Sequence, residues 1–239
     1  MFVTFRKWTA IYIACLILFM CIFAAIMEYG SSVPASNQIT TAKNTPVLII
    51  DPGHGGEDGG AVGADGTIES HLNLEIAFRT QELAKLIGLN VYMTRYEDIS
   101  IHDSAAQTLR QKKVSDLKNR VLLCQTTENG ILLSIHQNSL PENNSVCGAQ
   151  TFFNDAEGSR ELAAVIQNEL NQYLNTGSKK EEKYIGESSF LMKNVTCPAV
   201  LVECGFLSNP NECQLLKSEK HQNKIAIILI NSLAHWLEN

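Results

Sequence analysis

An α/β domain is the fold class this 239-residue sequence predicts, beginning at Pro46. Strand-like and helix-like segments alternate from there to the end, the pattern of a sheet with crossover helices. Three short apolar runs, Leu48-Ile49-Ile50, Ile131-Leu132-Leu133-Ser134-Ile135 and Ala199-Val200-Leu201-Val202, read as buried strands. Each leads into a residue able to bind a metal or carry a proton: His54 after Asp51-Pro52-Gly53, then His136, then Glu203. Ligands in open α/β sheets bind at the carboxyl ends of strands, so these three ends are expected to share one site.

Composition narrows the class. The length suits one domain of ordinary size with a full core. A net charge of -6 gives no footprint for nucleic acid. Of the seven cysteines, Cys15 and Cys21 fall in an N-terminal apolar stretch, and Cys124, Cys147, Cys197, Cys204 and Cys213 are irregularly spaced in the body. None form a Cys-x-x-Cys pair, so they read as small buried hydrophobes rather than a disulfide framework or a zinc finger.

Residues 1–28 predict a membrane anchor. Trp8–Met27 is almost wholly apolar and uncharged, with Arg6 and Lys7 before it and Glu28 after it. As a helix it would span about 30 Å, the thickness of the hydrocarbon core. The positive-inside rule then keeps the N-terminus cytoplasmic and exports the remainder. A cleaved signal peptide is the rival, with Val33-Pro34-Ala35 as its cleavage site, but the apolar stretch is longer than such peptides use. Residues 29–45, rich in Ser, Thr, Asn and Gly, are expected to be a flexible tether, and 46–239 the working domain.

The elements follow in order. Val47–Ile50 is the first strand, ended by Asp-Pro-Gly and a glycine-rich loop. Ser70–Ile87 is a helix, with Leu72, Ile76, Leu83 and Leu86 near helical spacing and Gly88 as its stop. Val91–Thr94 is a second strand. Tyr96–Val114, polar and weakly periodic, is expected to be an insertion or lid. Asp116–Cys124 is helical, followed by the strand ending at His136 and by an alternating strand, Ala149–Phe153. Ser159–Leu174 is amphipathic, with Leu162, Val165, Ile166 and Leu170 on one face. Lys179–Lys183 is a solvated charged loop. Ser189–Met192 reads as a strand, Ala199–Val202 as a central strand and His221–Trp236 as the closing helix.

These placements suggest a zinc hydrolase centre. Catalytic zinc takes three protein ligands and leaves a position for water. His54 and His136 supply imidazoles, and Glu69, set between a flexible loop and a helix start, is the natural carboxylate. Asp51 and Asp58 are rival metal oxygens. Glu203, partly desolvated by the strand before it, suits a general acid/base off the metal. Each residue has a plainer reading too: a structural histidine, a helix-dipole charge at Glu69, half of a buried ion pair at Glu203. His71 should face elsewhere, and His102, His221 and His235 are read as surface residues.

Several motifs in one order carry a resemblance. Asp51-Pro52-Gly53-His54-Gly55-Gly56 with Gly59-Gly60-Ala61 and Gly63 resembles the opening of the zinc-dependent N-acetylmuramoyl-L-alanine amidases. Glu69, Thr94-Arg95 with Asp98, Leu117 with Arg120, Ser134-Ile135-His136 with Asn138, and Val202-Glu203-Cys204-Gly205-Phe206-Leu207-Ser208-Asn209 continue it to near the end of the chain. The resemblance implies a single domain with a mixed, mostly parallel sheet flanked by helices. It implies one Zn2+ on His54, Glu69 and His136, Glu203 as the catalytic carboxylate and Asn138 at the substrate, peptidoglycan. The bond cleaved would be the amide between the lactyl group of muramic acid and L-alanine.

The bare domain on an anchor, with Leu74–Arg79, Gly148–Phe153 and Phe190–Thr196, is similar to the germination-specific, spore-cortex branch. That branch prepares muramic-δ-lactam, between mother cell and forespore, and some relatives act with a lipoprotein activator. Ser70 departs from the lysine many members carry there, and the segment from Glu97 to Val114 is longer than in minimal members. A silent wall-binding domain, a zinc peptidase of the stem peptide and a vegetative cell-separation amidase are the other readings.

Overall fold

The computed structural model describes residues 45–238, together with Met20. Apart from Met20, the expected anchor lies outside the described residues, as does all of the tether but Thr45. Among those described, no helix is long and apolar enough to cross a membrane.

The chain order is β1 (Val47–Pro52), α1 (Glu69–Leu86), β2 (Asn90–Met93), α2 (Leu109–Thr126), β3 (Gly130–Asn138), β4 (Gln150–Phe153) and α3 (Ser159–Tyr173). Then come β5 (Lys183–Tyr184), a 3-10 turn at Gly186–Ser188, α4 (Phe190–Asn194), β6 (Ala199–Phe206), α5 (Pro210–Leu216) and α6 (Glu219–Leu237). The strands form one sheet in the order β2-β1-β3-β6-β4-β5. All neighbours are parallel except β4 against β6, so the sheet is mixed and mostly parallel, as expected.

Alternation along each strand sorts side chains to two faces. Leu48 and Ile50, Leu133 and Ile135, Val200 and Val202 enter a large core with Ile76 of α1, Ile166 of α3 and Leu229 of α6. Ile49, Leu132, Ala199 and Leu201 enter a smaller one, closed by Val121 and Cys124 of α2 and by Leu191 and Met192 of α4. Asp51, Ser134, His136 and Glu203 follow on the same alternation as the smaller cluster, toward the carboxyl ends of their strands. Parallel register then sets Asp51 beside Ser134, and His136 beside Glu203.

Two expectations are corrected. Ser189–Met192 is not a strand: Ser189 caps α4, its side chain accepting from the Met192 N–H, and a helix of 5 residues follows. Periodicity cannot separate strand from helix in so short an apolar run. The Tyr96–Val114 segment divides, because α2 begins at Leu109 behind a capping box formed by Thr108 and Gln111. Only its first part is loop. Helix α5 is an addition; Asn209 caps it and Pro210 occupies its first turn. The charged run is loop except for Lys183, which opens β5. Among the described residues all five cysteines are free.

Candidate metal centre

The loop after β1 delivers His54 by close backbone approach. Gly53 lies flat against the His136 ring, and a Cβ there would stand 2.2 Å from its Cε1. Gly60, at φ +72°, leaves room for Glu69, whose Oε2 would be 2.4 Å from an added Cβ. His54 itself sits in the left-handed region, at φ 62°, a conformation costly for a non-glycine residue and concentrated at functional sites.

Glu69, the first residue of α1, is 3% exposed. Its Oε2 accepts from the Ala61 N–H at 2.8 Å, and its Oε1 from the Gln137 N–H at 3.1 Å and Asn73 Nδ2 at 3.2 Å. Around the same Oε1 converge His136 Nδ1 at 3.0 Å and His54 Nε2 at 3.3 Å. The two rings meet edge to face, with centroids 5.0 Å apart. One donor atom from each of His54, Glu69 and His136 lies within 4.8 Å of the others, so the three can hold a metal ion. Asp58 Oδ2, 3.1 Å from His54 Nδ1, fixes which ring nitrogen faces the cluster.

Electrostatics follow from this crowding. Burial disfavours a charged His54, yet the carboxylates of Asp58 and Glu69 prevail and hold its pKa up to about 9. Glu69 is driven below the usual carboxylate range: burial opposes ionisation, but hydrogen bonds from His136 and His54 outweigh it. Both shifts express a preference for positive charge beside a carboxylate, which is the preference a cation satisfies.

Glu203 is different. It stands opposite His136 across β3 and β6, and its Oε2 is buried with no hydrogen-bond partner among the described residues. Burial, with the charge of Glu69, pushes its carboxyl up to about 7 against the pull of the imidazoles. Asn138 ends β3 past a register shift; its Oδ1 accepts from the Ser139 N–H at 2.8 Å.

The remaining candidates fall elsewhere. Asp51 is ion-paired to Arg120 and Asp58 serves His54, so neither joins the three clustered donors. His71 pairs with Asp98 at 3.0 Å, and His102 Nδ1 lies 2.9 Å from Ser100 Oγ. His221 is half-buried in the first turn of α6 and His235 is exposed. Ser70 is buried and donates its hydroxyl to Asp98 at 3.2 Å. Asn73 and Gln137, which hold Glu69, went unread in the sequence. Asn73 had a signal, lying four residues after Glu69 on one helix face.

The sequence model of the N-acetylmuramoyl-L-alanine amidase family matches residues 48–235. The germination-specific N-acetylmuramoyl-L-alanine amidase of Bacillus subtilis is 37% identical over 80% of this chain and 79% of its own length. The CwlD amidase from Clostridioides difficile, solved in complex with the GerS lipoprotein, superposes with a TM-score of 0.77 at 37% identity, covering 81% of this chain and 98% of that one. An N-acetylmuramoyl-L-alanine amidase from Clostridium difficile 630 does so with a TM-score of 0.71 at 28% identity, covering 82% and 98%. The fold, the ordered motifs and these matches agree, and the chain belongs to the N-acetylmuramoyl-L-alanine amidase family.

Proposed function

We propose that this chain is a zinc-dependent amidase that cleaves the bond between the lactyl group of muramic acid and L-alanine in peptidoglycan. The observation that carries this reading is the convergence of His54, Glu69 and His136 with Glu203 beside them. Two imidazoles and one carboxylate are a catalytic zinc donor set, and one Zn2+ per chain fits them. Bound there, zinc supplies Lewis acidity, lowering the pKa of water and polarising the scissile carbonyl.

The chain's own residues do the rest. Asp58 keeps the His54 ring in one tautomer through its Nδ1. Glu203 takes a proton from the attacking water and delivers it to the alanine nitrogen as the C–N bond breaks. Burial raises its carboxyl above the usual carboxylate range in the metal-free chain, which favours its holding that proton. Asn138, its Oδ1 held by the Ser139 N–H, keeps its amide nitrogen for a substrate carbonyl in this reading. A silent wall-binding domain has no use for a carboxylate with a buried, unpartnered oxygen at such a place, and a stem-peptide peptidase differs in its products.

In the cell we place this activity in maturation of the spore cortex, upstream of muramic-δ-lactam. The likeness to the germination-specific enzyme of Bacillus subtilis supports that role over vegetative cell separation. Residues 1–28 would anchor the domain on the outer side of a membrane, with 29–45 as tether and 46–239 as catalytic domain. A lipoprotein partner is supported by the complex formed by the Clostridioides difficile relative.

The test is digestion of purified peptidoglycan, with and without a chelator. We expect stem peptides with a new N-terminal alanine, released only while zinc is present. Release that leaves muramic acid substituted would make the enzyme a peptidase.

A further inference from the structure

Arg95 and Arg120 are among the largest fully buried side chains, and the proposed reaction uses neither. Their surroundings differ. Arg120 lies between two carboxylates, Asp51 and Asp116. Arg95, 1% exposed, spends its guanidinium on backbone carbonyls: Nε donates to Pro52 at 2.9 Å and Nη1 to Glu97 at 2.9 Å. Its Nη2 donates to Gly53 at 3.1 Å and to Ser70 at 2.8 Å.

Those last two carbonyls belong to the residue immediately before His54 and the residue immediately after Glu69. One nitrogen of Arg95 therefore joins the two segments that carry two of the three clustered ligands. The loop also rests on the arginine's stem, since a Cβ on Gly55 would lie 3.0 Å from its Cδ. Asn73 adds a parallel tie, donating both to the Gly53 carbonyl at 3.1 Å and to Glu69 Oε1 at 3.2 Å. Burying a cation is expensive, and here carbonyl dipoles rather than a bonded carboxylate compensate it. A planar guanidinium has five donors in fixed directions and can hold four carbonyls at once; an ammonium is a point charge with three rotatable donors and cannot.

We propose that Arg95 is a positioning residue for the metal centre: by bridging the carbonyls of Gly53 and Ser70 it sets the separation of His54 and Glu69, and with it the affinity for the metal. The proposal rests on the zinc reading given above.

The test is zinc titration of the full chain against a competing chromophoric chelator, comparing wild type, R95K and R79K. Arg79 bonds Gln222 and Asn223, residues of α6, and serves as a remote control. We expect R95K to bind zinc about 10- to 100-fold more weakly, the range for residues that orient metal ligands. Its far-UV circular dichroism should match wild type, and its kcat should recover at saturating zinc. R79K should keep wild-type affinity. A merely structural arginine would lower the melting temperature and leave the affinity of the folded chain unchanged. R95K affinity within twofold of wild type would overturn the proposal while leaving the zinc site intact; a wild type that binds no zinc would overturn both. If R95K does not fold, R95Q, which removes the buried charge and keeps two donors, takes its place under the same criterion.

Discussion

Asp51 and Glu203 are carboxylates toward the carboxyl ends of β1 and β6, the strands on either side of β3, and burial acts on both. Asp51 accepts from Thr94 Oγ1 and Ser134 Oγ, each at 2.7 Å, and pairs with Arg120. Burial opposes its ionisation, but those partners bring its pKa down to about 2. Glu203 has an oxygen with no partner and rises to about 7. Position in the sheet does not separate them; saturation of their lone pairs does. A fully satisfied carboxylate is a structural strut, whereas one with a buried, unpartnered oxygen beside His54, Glu69 and His136 keeps a lone pair open to a proton.

That contrast can be broken from either side. The largest effect is expected for E203Q: kcat should fall by about 10²–10⁴-fold, the usual contribution of a general acid/base, with zinc stoichiometry unchanged. Near-normal turnover in E203Q would remove Glu203 from the mechanism. D51N should act on folding instead, because it leaves Arg120 with one carboxylate where it had two. Breaking a buried pair costs about 3–5 kcal/mol, readable by urea denaturation of the metal-free chain. A cost no larger than the ~1 kcal/mol of a surface pair would show that Asp51 is dispensable.

The pH dependence of metal-free stability sharpens the comparison, because the two slopes have opposite sign. Glu203 rises from an ordinary 4.5 to about 7, so its contribution is complete below 4.5 and lost as pH climbs through 7. The loss is about 3 kcal/mol and should be absent in E203Q. Asp51 falls from 3.8 to about 2, so its contribution is complete above 3.8 and lost as pH drops toward 2. That loss is about 2 kcal/mol and should be absent in D51N. Wild type and variants with parallel stability–pH curves would refute both assignments.

Legibility in the sequence followed the same division. The strands carrying His136 and Glu203 were readable because a buried parallel strand is a short apolar run and the change of chemistry marks its carboxyl end, although both strands run on, to Asn138 and Phe206. Glu69 was readable because a loop and a helix start flanked it. Asp51 and Asp58 were not separable from metal ligands in the sequence, since a carboxylate's role depends on partners up to 83 residues away, as with Asp51 and Ser134. Four apolar and polar residues at Ser189–Met192 cannot declare strand or helix, and only the Ser189 cap decides. Helix α5 was missed despite an Asn-Pro start, because its 7 residues offer too little periodicity to notice.

The spatial order of the strands has a consequence for assembly. His54, Glu69 and His136 all lie within the first 138 residues of the chain, whereas Glu203 arrives only with β6, which begins at Ala199 and must pair with β3 across the middle of the sheet. Pairing over that separation is slow, since loop closure precedes any gain from contact. Assembly of the three-donor cluster and arrival of Glu203 are therefore separable events during folding. On the reading proposed above, a chain whose β6 has not yet docked has its three candidate metal donors and lacks the carboxylate that would move the proton, so the last strand of the chain is also the one that would complete the active centre.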